Sequence, residues 1–176
     1  MSPIRGRPRR LEDELRRVYR EHVGAVFAFF SYSVSREAAE DLTGSTFERV
    51  VRSWPSFDPS RGSERTWILT IARNQLIDFF RREGVRPTVS SDEHPQLLDL
   101  LESEEDPLER RLSVEQLKGW LSHLGPREQE ILALRYGADL QAAEIAELCD
   151  LSTANVHQIL SRSLRHLREQ SREPTG

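Results

Sequence analysis

The 176-residue sequence has a single cysteine, Cys149, and no long apolar run. One thiol cannot form a disulfide within the chain, and one cysteine among five scattered histidines matches no zinc-ligand spacing, so no metal or cofactor is expected. A membrane span needs about 18 or more apolar residues in succession, which the sequence lacks. The basic start MSPIRGRPRR leads into acidic residues and not into an apolar segment, which argues against a secretory signal. We therefore expect a cytoplasmic protein without a membrane span.

Motifs that mark catalysis are missing as well. The sequence contains no glycine-rich phosphate loop, no nucleophile elbow and no carboxylate pair at a catalytic spacing. No carboxylate or nucleophile is spaced to act with His157, which is therefore expected on the surface. Cys149 is expected in the core or in a turn. An enzyme is accordingly not the favoured hypothesis.

Apolar residues recur at three- and four-residue steps, and no alternating pattern typical of strands competes with them. The helices predicted in the first half span about 11–32, 36–54 and 64–83. Ser35 and Ser63 have the side chains preferred at helix N-caps. Between the second and third helices, PSFDPSRG has the composition of a loop.

After residue 84 the periodicity fades into an acidic segment with three prolines, and it resumes at residue 108. Gly125 ends the next helix, and Pro126 suits the first position of the one after it. A two-turn helix, a four-residue turn from Cys149 to Ser152 and a final capped helix follow, a spacing typical of a helix-turn-helix. The predicted fold is all-α, with two small helical domains joined by a flexible acidic linker. The predicted boundaries are 10–83 for the first domain, 84–107 for the linker and 108–172 for the second domain.

The formal net charge is −4, but it is unevenly distributed. Residues 1–83 carry +3, residues 84–112 carry −5 and residues 113–176 carry −2. Within 152–172, four arginines stand against Glu169 alone, a local charge of +3. Because local charge decides what approaches a surface, this last helix is able to attract nucleic acid in spite of the acidic total.

The last helix also presents hydrogen-bond donors. Its N-terminus has free N–H groups and the positive end of the helix dipole, which favour phosphate. Its polar side chains have donors suited to phosphates and to base edges. The candidate DNA-binding residues are Ser152, Thr153, Asn155, His157, Gln158, Ser161, Arg162 and Arg165. A helical hairpin with arginines on its solvated side would show the same pattern, so this segment alone leaves both interpretations open.

The segment AEDLTGSTFERVVRSWPSFDPSRGSERTWILTIARNQLIDFFRR resembles the promoter-melting domain of bacterial RNA polymerase sigma factors of the extracytoplasmic-function class. LGPREQEILALRY, EIAEL and the capped last helix resemble the domain of that family that recognises the −35 promoter element. The resemblance implies a transcription initiation factor that binds the polymerase core at its clamp and flap, recognises promoter DNA and is controlled by an anti-sigma factor. A stand-alone helix-turn-helix regulator is the alternative, but it leaves the first segment unexplained.

The resemblance also assigns residues to sites. For the −10 element it implies Asn74 and Asp78, while Trp67 offers either base stacking or core packing. Arg73, Arg81 and Arg82 could hold the DNA backbone, although the last two are also compatible with a solvated helix end. On the second helix, the residues implied in polymerase binding are Asp41, Arg49 and Arg52.

The sequence departs from the family pattern at several positions. Gly44 and Ser45 stand where a polar-acidic pair is common, and because a glycine costs a helix up to about 1 kcal/mol, a bent helix or an altered polymerase contact is expected. Asp150 replaces the usual turn glycine, which is tolerable because Asp adopts the left-handed region. His157 and Ile159 stand where cations are common, which weakens the general attraction to phosphate.

The acidic linker has two possible roles. The resemblance suggests that it threads the basic channel of the polymerase, where its carboxylates would imitate nucleic acid. A solubilising tether is the equally open alternative. The carboxylates concerned are Asp92, Glu93, Asp99, Glu102, Glu104, Glu105 and Asp106.

Overall fold

The computed structural model describes residues 7–84 and 114–172, and every regular element in those two ranges is helical. The N-terminal unit (7–84) contains α1 (Arg7–Ser31), α2 (Arg36–Ser53), a 3-10 turn (Trp54–Ser56) and α3 (Glu64–Glu83). The C-terminal unit (114–172) contains α4 (Val114–Ser122), α5 (Pro126–Leu132), a π-helical segment (Ala133–Gly137), α6 (Ala142–Cys149) and α7 (Thr153–Arg172). The all-α prediction is confirmed. The predicted linker lies outside the described residues from position 85 onward.

The caps expected from the sequence set the limits of α2 and α3. The Ser35 hydroxyl accepts the N–H of Ala38 at 3.4 Å, and the Ser63 hydroxyl accepts the N–H of Thr66 at 3.1 Å. Gly84 ends α3 in the left-handed conformation, with φ of 61°. Helix α1 begins at residue 7, before the expected start at residue 11, because charged residues extend a helix without adding to its apolar pattern. No helix of the described ranges is both long and apolar enough to cross a membrane.

The apolar sides of α1, α2 and α3 meet in the core of the N-terminal unit. Its largest buried side chains include Phe29, Phe30, Phe47, Ile68 and Leu69. Arg17 of α1 donates hydrogen bonds to Glu64, in the first turn of α3, at 2.7 and 3.1 Å. These bonds hold the pKa of the Glu64 carboxyl below its usual range. The core and this ion pair together fix the start of α3 against α1.

A buried polar cluster joins α2 to α3. Gln75, only 4% exposed, donates to the hydroxyl of Thr46 at 3.0 Å and accepts a hydrogen bond from Ser45. Ser45 therefore has a packing role. Its neighbour Gly44 is exposed, and a Cβ added there would meet nothing within 4 Å, so no contact of the fold requires a glycine. Helix α2 is continuous through both positions.

In the C-terminal unit, a buried glutamine closes the turn between α4 and α5. The side chain of Gln129 donates to the carbonyls of Leu121 and Leu124 at 2.8 and 3.1 Å. Glu128 caps α5, because its carboxylate accepts the N–H of Gly125 at 2.8 Å. Around this turn, apolar side chains from α4, α5 and α7 form the core of the unit, among them Leu117, Leu121, Ile131, Leu132 and Leu167.

The two units contact each other along α1 and the π-helical segment. Gly137 lies so close to α1 that an added Cβ would be 3.0 Å from the carbonyl oxygen of Ala28 and 3.1 Å from the ring of Tyr32. Tyr32 is almost wholly buried. The buried apolar side chains consequently form one cluster that continues from one unit to the other.

We expect Gly44→Ala to raise the free energy of unfolding by up to about 1 kcal/mol, because alanine restricts the unfolded chain and fits the open space at this helical position. Urea unfolding followed by circular dichroism measures the change. Gly84→Ala is the matched control and should lower stability, because φ at Gly84 is 61°. A loss of stability in Gly44→Ala would contradict the interpretation.

Candidate nucleic-acid interface

Helices α6 and α7 form the helix-turn-helix expected from the sequence. Asp150 ends α6 in the left-handed conformation, with φ of 54° and ψ of 51°. The N–H of Leu151 then donates to the carbonyl of Ala146 at 2.9 Å, which closes the turn. Ile145 and Val156 are fully buried in the angle between the two helices. The aspartate that replaces a turn glycine is thus accommodated, as predicted.

One side of α7 is buried and the other carries polar side chains. The N–H of Asn155 donates to the hydroxyl of Ser152 at 3.1 Å, which confirms the predicted cap. All eight residues predicted to bind the −35 element are exposed: Ser152, Thr153, Asn155, His157, Gln158, Ser161, Arg162 and Arg165. Arg162 is 59% exposed, and its Nε lies 3.8 Å from Glu128 Oε1. The exposed face of α7 therefore presents donors along several turns.

The two positions of α7 that depart from the family pattern, 157 and 159, differ in exposure. Ile159 is only 7% exposed and packs with Val156 and Leu160 on the buried side. His157 is exposed among the candidate DNA-binding residues. Only His157 therefore replaces a cation on the surface, whereas Ile159 contributes to the core.

Four of the six residues predicted for the −10 element share one side of α3. These four are Trp67, Asn74, Asp78 and Arg81. They are spaced by seven, four and three residues, which are close to whole turns of a helix, so their side chains lie in one row. We call these four residues the α3 stripe. Arg81 Nη1 lies 3.6 Å from Asp78 Oδ1, and both side chains remain substantially exposed. Arg82 is exposed in the last turn of the same helix.

Arg73 does not lie on the α3 stripe. It faces the C-terminal unit, and its Nε donates to Glu130 Oε1 at 2.6 Å. Burial lowers the pKa of the Arg73 guanidinium, but the hydrogen bond and charge of Glu130, together with smaller effects of Cys149, leave this pKa above its usual value. The structure thus separates Arg73 from the other residues that were predicted to bind DNA with it.

At one end of the stripe, Trp67 is half-buried in an aromatic cluster. Its ring centroid lies 5.9 Å from that of Trp54 and 5.2 Å from that of Phe57. The cluster borders a cavity of about 440 Å³, whose other walls include the loop residue Asp58 and, from α6, Glu147. Trp67 therefore both packs against its neighbours and lines an open site. The contribution of α6 was missed because nothing in the sequence places the two units side by side.

The loop beside this cavity is ordered by its own side chains. Asp58 accepts hydrogen bonds from the N–H and the hydroxyl of Ser60 at 2.9 and 2.7 Å. These bonds lower the pKa of the Asp58 carboxyl. The carboxylate form therefore favours the folded loop near neutral pH.

In the middle of the stripe, Asn74 lines a groove of about 240 Å³ between α2 and α3. Arg49 and Arg52, predicted to contact the polymerase, line the same groove. Both arginines are exposed, and neither forms an ion pair with any residue in 7–84 or 114–172. The structure thus places two cations beside Asn74. Asp41 is exposed on the same helix outside the groove.

Two further groups of reactive side chains have structural explanations. Cys149 is 5% exposed, and burial raises the pKa of its thiol to about 11, as expected of a packing residue. Glu21, His22 and Glu64 lie close together, but Arg17 donates hydrogen bonds to both carboxylates. This cluster is therefore an ion-pair network between α1 and α3.

Comparison with known proteins identifies both units. The family model for sigma-70 region 2 matches residues 18–86, and the model for sigma-70 region 4 matches residues 120–169. The chain is 30% identical over 156 residues to the ECF RNA polymerase sigma factor BldN of Streptomyces coelicolor. This match covers 88% of the chain and 59% of BldN. The chain belongs to the extracytoplasmic-function sigma factors.

Other comparisons agree with this assignment. The ECF RNA polymerase sigma factor SigM of Bacillus subtilis is 28% identical over 152 residues, which cover 86% of this sigma factor and 91% of SigM. The sigma factor RpoE of Bartonella quintana, solved in complex with the anti-sigma factor NepR, has the same fold. That match has a TM-score of 0.71 and 19% identity, and it covers 93% of this chain and 99% of RpoE. The family resemblance found in the sequence is confirmed, whereas the roles of individual residues and the domain boundaries stay predictions.

We expect Ile159→Lys to lower the free energy of unfolding by about 1–3 kcal/mol, because it replaces a buried apolar side chain with a cation. His157→Lys, the matched substitution on the exposed side, should leave stability nearly unchanged. It should also tighten binding to duplex DNA and increase the salt slope by up to about 0.9. Urea unfolding and fluorescence anisotropy at several salt concentrations measure these effects. Equal stability of the two variants would show that position 159 is not part of the core.

Proposed function

We propose that this sigma factor binds the core of RNA polymerase, recognises the −35 and −10 promoter elements and promotes melting of promoter DNA. Region 2, matched at residues 18–86, precedes region 4, matched at residues 120–169, in the same chain. Each promoter element therefore has a candidate binding region. It contributes no catalysis of its own and acts in the cytoplasm on DNA bound by the polymerase. The observation that carries the proposal is that both matched regions expose most of the polar residues predicted for their promoter elements, with Arg73 as the exception. The stand-alone regulator is less favoured, because it gives region 2 no task.

Recognition of the −35 element is assigned to α7. A helix fits the major groove, where arginine, asparagine and glutamine distinguish base edges. The exposed face of α7 has Asn155, Gln158 and Arg162 near the capped N-terminus, where side chains contact bases in helix-turn-helix proteins. Ser152 and Thr153 are placed to bind the phosphate that the positive end of the helix attracts.

Melting of the −10 element is assigned to the α3 stripe and its two recesses. A protein that opens a duplex must offset the lost base stacking, and it does so by capturing unstacked bases next to a cationic surface. Asn74 offers amide hydrogen bonds inside the groove, and Arg49 and Arg52 lie beside it to hold the strand. Asp78 would repel phosphate, so its proposed partner is a base. Trp67 borders the cavity that could accept a second base.

Polymerase and an anti-sigma factor are the proposed protein partners. Asp41 on α2 is assigned to the clamp, and the C-terminal unit to the flap. If Arg49 and Arg52 hold DNA at the groove, fewer cations of α2 remain for the clamp. Two solved structures with this fold support regulation by an anti-sigma factor, because RpoE was solved with NepR and CnrH with the cytosolic domain of CnrY. The acidic linker keeps both of its candidate roles.

Reconstituted transcription tests the proposed function. The full chain is added to purified core polymerase with a library of promoter fragments from its own genome. We expect transcripts from a subset of promoters that share −35 and −10 sequences, and none without the chain. Specific duplex binding by the chain, together with no transcription in the presence of polymerase, would favour the stand-alone regulator.

We expect Asn74→Ala to slow open-complex formation while binding to core polymerase is retained, because the substitution removes amide hydrogen bonds in the groove and leaves α2 intact. A promoter duplex with a fluorescent base in the −10 element follows the melting step. Asn155→Ala is the matched control, since it should weaken binding to the −35 element without slowing melting in saturated complexes. Unchanged melting in Asn74→Ala would refute the assignment.

We expect Arg162→Ala to weaken binding to the −35 element by about 1–3 kcal/mol if Arg162 makes a bidentate base contact. Binding of the polymerase complex to promoters with single −35 substitutions measures the loss. Arg168→Ala, at an exposed position of α7 outside the candidate set, is the control. Equal losses on all promoter sequences would instead show that Arg162 binds phosphate.

A further inference from the structure

Several contacts hold the two units together, and we call the following three the closed interface. Arg73 on α3 pairs with Glu130 on α5 at 2.6 Å. Arg65 at the start of α3 donates a hydrogen bond to the carbonyl of Ala138. Gly137 packs against the backbone of α1 at Ala28. The interface therefore combines one charge pair, one charged hydrogen bond and one close steric contact.

The C-terminal unit holds Glu130 in place for its contact with Arg73. Arg127 donates to the second oxygen of the Glu130 carboxylate at 2.9 Å and also donates to the carbonyl of Cys149 at 2.8 Å. The Arg73 and Glu130 side chains are only 22% and 15% exposed. A carboxylate fixed against an arginine at hydrogen-bond distance occupies the position that a DNA phosphate would take on that arginine.

Beside the closed interface, α6 also borders the cavity next to Trp67. Glu147 and Leu148 of α6 form one of its walls, opposite Phe57 and Asp58 of the loop. A DNA strand that approached this cavity would meet both the bulk of α6 and the negative charge of Glu147. Two separate features of region 4 thus lie against surfaces of region 2 that are assigned to the −10 element.

The size of the closed chain leads to the same conclusion. The −35 and −10 elements lie about 25 base pairs apart, which is roughly 85 Å along B-form DNA. Residues 7–84 and 114–172, packed as one compact body, have a radius of gyration of roughly 14 Å. With the units in contact, α7 and the α3 stripe cannot reach both elements at once. The units must separate before the proposed function is possible.

We propose that Glu130 acts as an intramolecular substitute for a DNA phosphate: it pairs with Arg73, holds the two units closed and keeps α3 from promoter DNA until they separate. This inference rests on the proposed function, because it assigns Arg73 to DNA. The closed state is a property of the chain itself and requires no anti-sigma factor. An anti-sigma factor or the polymerase would then shift an equilibrium that already exists.

The first test compares Glu130→Gln with Glu169→Gln in the full chain. Both variants remove one negative charge from the C-terminal unit, but Glu169 is exposed on α7 and has no ion pair with a residue of the described ranges. Small-angle X-ray scattering measures the radius of gyration. Fluorescence anisotropy measures binding to a random-sequence, single-stranded DNA of about 12 nucleotides. We expect Glu130→Gln, but not Glu169→Gln, to increase the radius of gyration. Glu130→Gln should also bind this DNA at least about fivefold more tightly, because the closed state of the wild-type chain lowers its apparent affinity for DNA.

The second test opens the interface without a change of charge. In Gly137→Ala, the new Cβ would lie 3.0 Å from the Ala28 carbonyl oxygen, so the backbone of α1 or of the π-helical segment must shift and the contact between the units is weakened. Gly119→Ala is the matched control, because nothing lies within 4 Å of a Cβ there. We expect Gly137→Ala to show the same expansion and the same gain in DNA binding as Glu130→Gln. Circular dichroism verifies that each variant keeps its helices.

The possible outcomes separate this inference from the proposed function. If neither Glu130→Gln nor Gly137→Ala differs from its control in size and DNA affinity, the inference is wrong. If the chain expands without a gain in DNA binding, Glu130 does not substitute for phosphate, and the inference is also overturned. Transcription with core polymerase by the wild-type chain would still uphold the proposed function in both cases. Failure of the wild-type chain to support transcription would instead overturn that function.

Discussion

The burial of one side of α3 is the constraint on which the arrangement of the candidate sites depends. Ile68, Leu69, Ala72 and Leu76 lie in the core, and Gln75 is tied to α2 by hydrogen bonds. Only one side of the helix is left for the α3 stripe. Because the same helix borders the groove, the aromatic cavity and the closed interface, its position determines what each of them presents. A charged substitution in its buried side would disturb all three sites together.

Helix limits and exposed faces followed from local sequence. Ser35, Ser63 and Gly84 have the local chemistry of caps, and the period of α7 alone separates Val156 from Gln158. The helix-turn-helix was predictable for the same reason, since its turn is set by neighbouring residues. These features depend on contacts within a few positions along the chain.

Contacts between distant segments did not follow from the sequence. Arg73 was predicted to hold DNA, but its partner Glu130 lies 57 positions away, and no periodic pattern pairs the two. Arg49 and Arg52 were assigned to polymerase by the family resemblance, which stays a prediction, but their position beside Asn74 follows only from the packing of α2 on α3. Ile159 was treated as a missing cation because its family position suggested the surface, although the helical period places it on the buried side of α7 with Val156 and Leu160. The contacts of Arg73, Arg49 and Arg52 arise from tertiary packing, to which local patterns are insensitive.

The central claim is that this extracytoplasmic-function sigma factor opens promoter DNA together with RNA polymerase. Permanganate footprinting of supercoiled promoter DNA tests it most directly, since the reagent oxidises unstacked thymines. With core polymerase and the full chain, reactive thymines should occur within the −10 element and downstream of it, and they should vanish when either protein is omitted. Transcribing complexes whose −10 thymines stay protected, or thymines equally reactive without the chain, would contradict the claim.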